Sequence, residues 1–166
     1  MVTPSRSTEA GSPVSLLKKI ISGGQTGADR AALDFALAKG LAHGGWCPHG
    51  RWAEDGRIPD KYHLTETPGR DPNQRTEWNV RDSDGTVIFS ISTALSGGTA
   101  KTAEFANIHH KPLLHICRQT NGQHGATMLR AFINANEIET LNVAGPRGTE
   151  EPELAAFVLE TLEAAL

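Results

Sequence analysis

The sequence is poor in cysteine, in net charge and in long apolar runs. Only two cysteines, Cys47 and Cys117, occur among 166 residues, so no disulfide framework is possible and a reducing cytoplasm is indicated. The net charge is only −3, which predicts neither nucleic acid nor an anionic membrane as a partner. No apolar run approaches the ~18 residues of a membrane helix. Any anion site must therefore be local, built from backbone dipoles and a few basic residues.

Residues 1–15 are dominated by Ser, Thr, Pro and Gly and follow no helical or strand pattern. Such a segment buries too little apolar surface to offset the entropy lost on ordering, so a flexible leader is predicted. Residues 16–166 have the length of one domain, and no internal repeat divides them.

Short apolar runs alternate with helical patterns from residue 17 onward. Strands are predicted at 17–22, 44–48, 86–90, 113–117 and 138–144. Helices are predicted at 31–39, 73–81, 99–110 and 124–135, and from about residue 151 to the end of the sequence. This order predicts an α/β protein in which right-handed β-α-β units surround a mainly parallel five-stranded sheet.

The segment 51–72 mixes charged residues with glycine and proline and shows no periodicity. Such a long irregular segment is uncommon in a compact domain, so we expect a lid, a binding loop or an oligomer contact. Cys47 is predicted to pack beneath it as a small apolar residue.

Two glycine-rich loops each connect a predicted buried strand to the predicted helix that follows it. The first comprises Gly23, Gly24, Gln25, Thr26 and Gly27, and the second comprises Ser96, Gly97, Gly98, Thr99, Lys101 and Thr102. Glycine lets the backbone approach a ligand closely, and the N–H groups of the following helix favour negative charge. Neither loop has the spacing of the standard phosphate motifs, and glycine can also serve only to permit a tight turn.

A small anionic, phosphate-containing ligand fits these loops best. Its phosphate is predicted at the helix after Gly97 and Gly98, with nearby hydroxyl groups donating and Lys101 adding a positive charge. The first loop offers a second cradle. Arg147 either reaches the ligand from a third loop or forms an ion pair. Asp29 would repel an anion, so we expect it to cap a helix or to pair with Arg30.

Five motifs in a fixed order resemble the putative molybdenum carrier family. They are ISGGQTGADRAALD at 21–34, GWCPHGR at 45–51, AEDG at 53–56, WNVRDSDGT at 78–86 and SGGT at 96–99. The resemblance implies a Rossmann-like three-layer domain that binds molybdenum cofactor, a molybdopterin, for storage and delivery to a molybdoenzyme. Molybdate is a second possible cargo. It also implies a homo-oligomer, with a tetramer favoured, and places Asn79 and Asp82 at the cleft.

The segment 96–104 also resembles, imperfectly, the signature of cytokinin-activating phosphoribohydrolases. Ser96 replaces a proline, Ala100 a glycine and Lys101 a threonine, whereas the final acid, Glu104, matches. The alternative function is therefore hydrolysis of a nucleotide N-glycosidic bond by Glu104 with Arg81 or Arg147. The carrier function requires no catalytic residue. No protein-bound metal is predicted either, because the possible ligands lack the usual zinc spacings: His43, Cys47, His49 and His63.

Overall fold

Nine strands and six helices are present in residues 16–166, the part of the chain that the computed structural model describes. The leader predicted at 1–15 lies outside these residues. The strands are β1 (Lys19–Ile21), β2 (Ala42–Gly44), β3 (Trp46–Cys47), β4 (Trp52–Ala53), β5 (Gly56–Arg57), β6 (Thr65–Glu66), β7 (Gly85–Ser90), β8 (Leu113–Cys117) and β9 (Thr140–Ala144). The helices are α1 (Ala28–Lys39), α2 (Pro72–Arg81), α3 (Gly97–Ile108), α4 (Arg118–Asn121), α5 (Gly125–Ala135) and α6 (Leu154–Ala165).

Five strands form one sheet in the order β2-β1-β9-β7-β8, and every pairing in it is parallel. The predicted α/β class is therefore confirmed, with a sheet that is wholly rather than mainly parallel. The last strand of the sequence, β9, lies at the centre between β1 and β7. Consequently, the loops that follow β1, β9 and β7 leave the same edge of the sheet side by side.

The main core lies between one face of this sheet and the helices α1, α5 and α6. Ile20, Leu141 and Phe89 belong to this core. All six residues of β7 are buried, as expected for a strand in the interior of a parallel sheet that is covered on both faces. Phe89 meets Phe157 edge to face at 6.0 Å. The residues predicted to line the closing helix are buried, as expected: Leu154, Phe157, Val158 and Leu162.

Leu37 does not join the buried face of α1, although its spacing of four residues from Leu33 predicts an inward side chain. Its exposed fraction is 41%. The buried face is built instead from small alanines and Phe35, which let α1 lie close to the sheet. Gly40 ends α1 in the left-handed conformation, at the predicted position.

The predicted strand at 44–48 is in fact two strands that belong to different sheets. β2 joins the five-stranded sheet and β3 pairs with β6. Gly45 separates them with φ of 125°, and a Cβ there would collide with the carbonyl oxygen of Ser22. The chain can turn away from the sheet at this point only because residue 45 is glycine.

The segment 51–72 was predicted to be irregular, but it contains the three short strands β4, β5 and β6. Each of these strands has two residues, which is too short to show a period in the sequence. α4 was not predicted for the same reason, since it has four residues. The larger elements agree with prediction apart from their ends: α1 and α3 begin earlier than predicted, and α6 and β9 begin later.

Arg51 holds this segment together from the inside. Its guanidinium donates to the carbonyl oxygens of Pro59 and Tyr62, each at 2.8 Å, and of Ile58 at 3.2 Å. Beneath it, Cys47 is fully buried in a second apolar cluster with Leu33, Ala53, Ile58 and Tyr62, which confirms its predicted packing. These contacts fix the segment as a wall beside the main sheet.

None of the helices in residues 16–166 has the length and apolar character needed to cross a lipid bilayer.

Replacing Arg51 by Met should lower the free energy of unfolding by about 2–4 kcal/mol, because several buried carbonyl groups would lose their donor. Urea denaturation measures the change. Arg57→Met is the matched control, since Arg57 pairs with Asp60 at the exposed surface and its loss should leave the stability unchanged. An equal loss in the two variants would contradict the role given to Arg51.

Candidate ligand-binding cleft

A cleft of about 170 Å³, open to solvent, lies at the carboxyl ends of β1, β9 and β7. Its walls are the loop between β1 and α1, the loop between β9 and α6, the N-terminus of α3 and the inner side of α2. In parallel sheets, ligands bind at such an edge where the strand order reverses. Of the residues predicted to bind a ligand, the cleft brings together eight: Gly23, Gln25, Asn79, Gly97, Gly98, Thr99, Thr102 and Arg147.

The N-terminus of α3 faces the cleft, and its first two residues are not covered by other groups of residues 16–166. A Cβ added to Gly97 or Gly98 would meet no atom within 4 Å among residues 16–166. The N-cap residue, Ser96, makes no side-chain bond to the N–H groups of this helix. Thr99 lines the cleft beside them, whereas the hydroxyl of Thr102 already donates to the carbonyl oxygen of Gly98 at 3.0 Å. Unused donors and the positive end of a helix dipole therefore face the same space.

Two predicted residues of this second loop lie outside the cleft. Ser96 precedes the helix without contributing to the cleft wall. Lys101 points to the outer side of α3, where its Nζ lies 3.4 Å from the Oε1 of Glu104.

The first glycine loop uses its donors within the protein. The Gln25 N–H donates to the carboxylate of Asp29 at 3.1 Å, and the Thr26 N–H donates to the Oε1 of Gln25 at 3.0 Å. Gly24 and Gly27 do not reach the cleft. Gly24 lies against side chains of the neighbouring wall, and Gly27 lies against the backbone of the loop after β9. This loop therefore shapes the cleft and offers few groups to a ligand.

Thr26 joins two of the cleft loops to the wall formed by residues 51–72. Its hydroxyl donates to the carboxylate of Glu54 and accepts from the Gly148 N–H at 2.9 Å. Thr149 donates to the same carboxylate from its hydroxyl at 2.7 Å and from its N–H at 3.2 Å. These donors, with Thr26 first, hold the pKa of Glu54 below its usual range. Arg147 lines the cleft and lies 3.9 Å from Glu54, so it forms the ion pair that was one of its two predicted roles, and its contact with a ligand stays a prediction.

Asn79 and Asp82 mainly position Trp46. The Asn79 amide accepts from the Trp46 N–H at 2.8 Å and donates to its carbonyl oxygen at 3.0 Å, while its edge lines the cleft. Asp82 lies outside the cleft, where it accepts from the Trp46 indole at 2.9 Å and from Arg81.

Three charged residues of the cleft, Asp29, Arg75 and Glu150, were not predicted as ligand-binding. Arg75 extends from α2 across Gly23 and donates to its carbonyl oxygen at 2.8 Å. A Cβ at Gly23 would lie 2.7 Å from the Cδ of Arg75, so this glycine makes room for the arginine. Nothing local in the sequence marks Arg75, because its role depends on a residue 52 positions away. Asp29 does not pair with Arg30, which instead forms a bidentate pair with Asp55 at 2.7 and 2.8 Å.

Burial dominates the ionisation of Asp29 and Arg75. It raises the pKa of Asp29 from 3.8 to about 6, against the opposing charge of Arg75 and the N–H groups of Gln25 and Gly23. Burial also lowers the pKa of Arg75, although Asp29 favours its charged form. The cleft thus contains two arginines, Arg75 and Arg147, and two carboxyl groups, Asp29 and Glu150, and burial raises the pKa of Asp29 to about 6.

Neither pair suggested for hydrolysis, Glu104 with Arg81 or Glu104 with Arg147, is assembled at the cleft. Glu104 lies on the exposed side of α3, and Arg81 pairs with Asp82 while its guanidinium stacks on Trp78 at 4.7 Å. Neither residue contributes to the cleft wall. In residues 16–166, no three His, Cys, Asp or Glu side chains are grouped so that they could hold a metal ion.

Comparison with known proteins identifies the family. The model of the Circularly permutated YpsA SLOG family matches residues 20–166, nearly the whole described chain. The chain belongs to this family. It is also similar to the crystal structure of a protein from Syntrophus aciditrophicus SB named a putative molybdenum carrier protein. The two share 47% sequence identity with a TM-score of 0.88, over 91% of this chain and 96% of that one. No curated protein matches the chain.

The sheet of this SLOG family protein agrees with a permuted connection. If the strands are counted from β9 instead of β1, the observed order β2-β1-β9-β7-β8 becomes 3-2-1-4-5. That is the order of a doubly wound, Rossmann-like sheet. The permutation moves the central strand to the end of the sequence and leaves the cleft at the same edge.

The buried Asp29 should make stability depend on pH in a predictable direction. Because its pKa is raised on folding, its contribution is full below pH 3.8 and is lost as pH rises through about 6. Asp29→Asn should therefore gain stability relative to the native protein between pH 4 and pH 7.5, by up to about 3 kcal/mol. Urea denaturation at a series of pH values measures this difference. A constant difference across the range would show that Asp29 is not desolvated as described.

Proposed function

We propose that this SLOG family protein binds a molybdopterin-type ligand in the cleft, with the ligand's phosphate at the N-terminus of α3. The observation that carries the proposal is the open approach to Gly97 and Gly98. Two consecutive residues without side chains leave unused N–H groups at the positive end of a helix, facing a cleft. This is the arrangement by which protein backbones bind phosphate groups.

Charge and hydroxyl groups around this point support an anion. Thr99 supplies a hydroxyl, and Arg147 brings a guanidinium that Glu54 approaches only to 3.9 Å. A guanidinium binds phosphate through paired N–H groups, which adds direction to the attraction. Because the whole chain carries a net charge of −3, this local field must attract the ligand.

The printed name of the Syntrophus relative supports molybdenum as the cargo. A molybdopterin carries both the phosphate that the α3 site would bind and a flat ring for the rest of the cleft. Molybdate would use only the anion site. We further propose that the protein stores this ligand and delivers it to a molybdoenzyme as a homo-oligomer, with a tetramer favoured. Mass spectrometry of the ligand retained in gentle purification tests the cargo, and light scattering tests the assembly.

Gly98→Val should weaken ligand binding at least about tenfold while leaving the fold intact. The added side chain meets no protein atom, but occupies the space through which the phosphate approaches. Titration with inorganic sulfate and with purified molybdopterin, together with thermal unfolding, measures both effects. Lys101→Gln is the charge control, since Lys101 lies outside the cleft and its loss should not matter. Unchanged affinity in a folded Gly98→Val protein would refute the phosphate site.

No hydrolysis of nucleotides is expected, because Glu104 is exposed on the far side of α3. A glycosidase carboxylate must touch the bond that it cleaves. The assay incubates the protein with adenosine monophosphate or a cytokinin nucleotide and follows release of the free base. Turnover that disappears in Glu104→Gln would favour the phosphoribohydrolase function over the carrier function.

A further inference from the structure

The part of the cleft that lies between α1 and α2 contains an acceptor and a donor that are close together but not bonded to each other. Asp29 is 8% exposed and lines the cleft from the start of α1. Arg75 lines it from α2, and each side chain lies within the field of the other. Within residues 16–166, their hydrogen bonds go to Gln25, Gly23 and Thr76, and no ion pair joins the two.

Both groups keep hydrogen-bonding capacity for a ligand. A carboxylate has about four acceptor positions, and N–H groups of the first glycine loop use only part of them. A guanidinium has about five N–H donors in one plane, and Arg75 commits only one firmly, to Gly23 at 2.8 Å. Asp29 is buried and Arg75 is partly buried, and removing such groups from water on ligand binding is costly unless the ligand supplies matching partners.

A ligand group that satisfies both must present donors and an acceptor on one edge. A second phosphate does not qualify, because the Asp29 carboxylate would repel it. An apolar ring edge also leaves both groups unsatisfied. A 2-amino-4-oxopyrimidine ring has a ring N–H and an amino group for a carboxylate, with a carbonyl oxygen next to them for a guanidinium.

We propose that Asp29 and Arg75 select a 2-amino-4-oxopyrimidine ring, the ring of pterins, at this end of the cleft. Asp29 accepts the ring N–H and the 2-amino group, and Arg75 donates to the 4-oxo group. This assignment rests on the proposed function, because it orients the ligand with its phosphate at α3 and its ring at the β1–α1 loop. It also explains why an acid lies in a cleft that binds an anion.

The wall beneath the pair holds both groups in place. Gly23 leaves the space in which Arg75 lies, and the serine before it, Ser22, donates to the backbone carbonyl of Asp29 at 3.1 Å. The loop that precedes Asp29 is in turn tied to Glu54 through Gln25 and Thr26. A donor and an acceptor fixed by separate elements give directional selection without rearrangement on binding.

Two phosphate-free probes test the ring end separately from the phosphate end. Pterin carries the 2-amino group, whereas lumazine has an oxygen in its place, so only pterin offers the donor pair to Asp29. At pH 7.5, where Asp29 is ionised, the full chain should bind pterin at least about tenfold more tightly than lumazine, by fluorescence titration. Asp29→Asn should remove this preference. Glu104→Gln, the same chemical change outside the cleft, should retain it.

Arg75→Lys provides an independent variant, since it keeps the charge but loses the planar fork, and it should weaken pterin binding about tenfold. Sulfate titration measures the α3 site: Asp29→Asn should keep or raise its sulfate affinity, since it removes a negative charge from the cleft, whereas Gly98→Val should lose it. Equal binding of pterin and lumazine, binding of neither, or a preference that persists in Asp29→Asn overturns the assignment. Sulfate binding that remains sensitive to Gly98→Val would then show that only the ring site was wrong.

Discussion

The close contact between the β1–α1 loop and the β9–α6 loop is the constraint on which the cleft depends. Gly27, with φ of 87°, has no Cβ, and a Cβ there would lie 2.7 Å from the carbonyl oxygen of Pro146. Thr26 then accepts from the Gly148 N–H and donates to Glu54, which ties both loops to a neighbouring wall. Because Asp29 follows the first loop and Arg147 lies in the second, a shift of either loop would separate the charges that shape the cleft. The close packing of these two loops therefore also fixes the positions of the charged side chains in the cleft.

The two glycine loops, which look alike in the sequence, differ in what they offer a ligand. The loop after β1 is filled by the protein's own acceptors, with Asp29 receiving the Gln25 N–H. Within residues 16–166, the Ser96 side chain does not cap the N-terminus of α3, and Gly97 and Gly98 leave this end of the helix open. The cleft is therefore asymmetric, with open helix N–H groups at α3 and the carboxylate of Asp29 at α1. A ligand with a phosphate at one end and hydrogen-bond donors at the other suits that asymmetry.

Local signals in the sequence were sufficient for the larger elements. The β-branched and aromatic residues at 86–90 predicted β7 correctly, and the alternation of such runs with helical patterns predicted the parallel α/β class. These elements are long enough for their periodicity to be recognised in the sequence. Short elements failed for the opposite reason, since two-residue strands such as β4 and β5 have no period to read. Gly97, Gly98 and Arg147, which their loops predicted as ligand-binding, line the cleft, and their contact with a ligand stays a prediction. Arg75 was not predicted, because only the approach of α2 to Gly23 brings it into the cleft.

The sequence by itself determined the fold class and the family, because both follow from the order of motifs along the chain. It also determined that an anion site must be local, since the chain has little net charge. Only the tertiary structure decided which polar groups face a ligand. Asp29 and Thr26 belong to the same motif as Gly23. The carboxylate of Asp29 nevertheless lines the cleft, whereas the hydroxyl of Thr26 donates to Glu54. A side chain's partners depend on which loops meet in space, and residues separated by 50 or more positions cannot be paired from a local pattern.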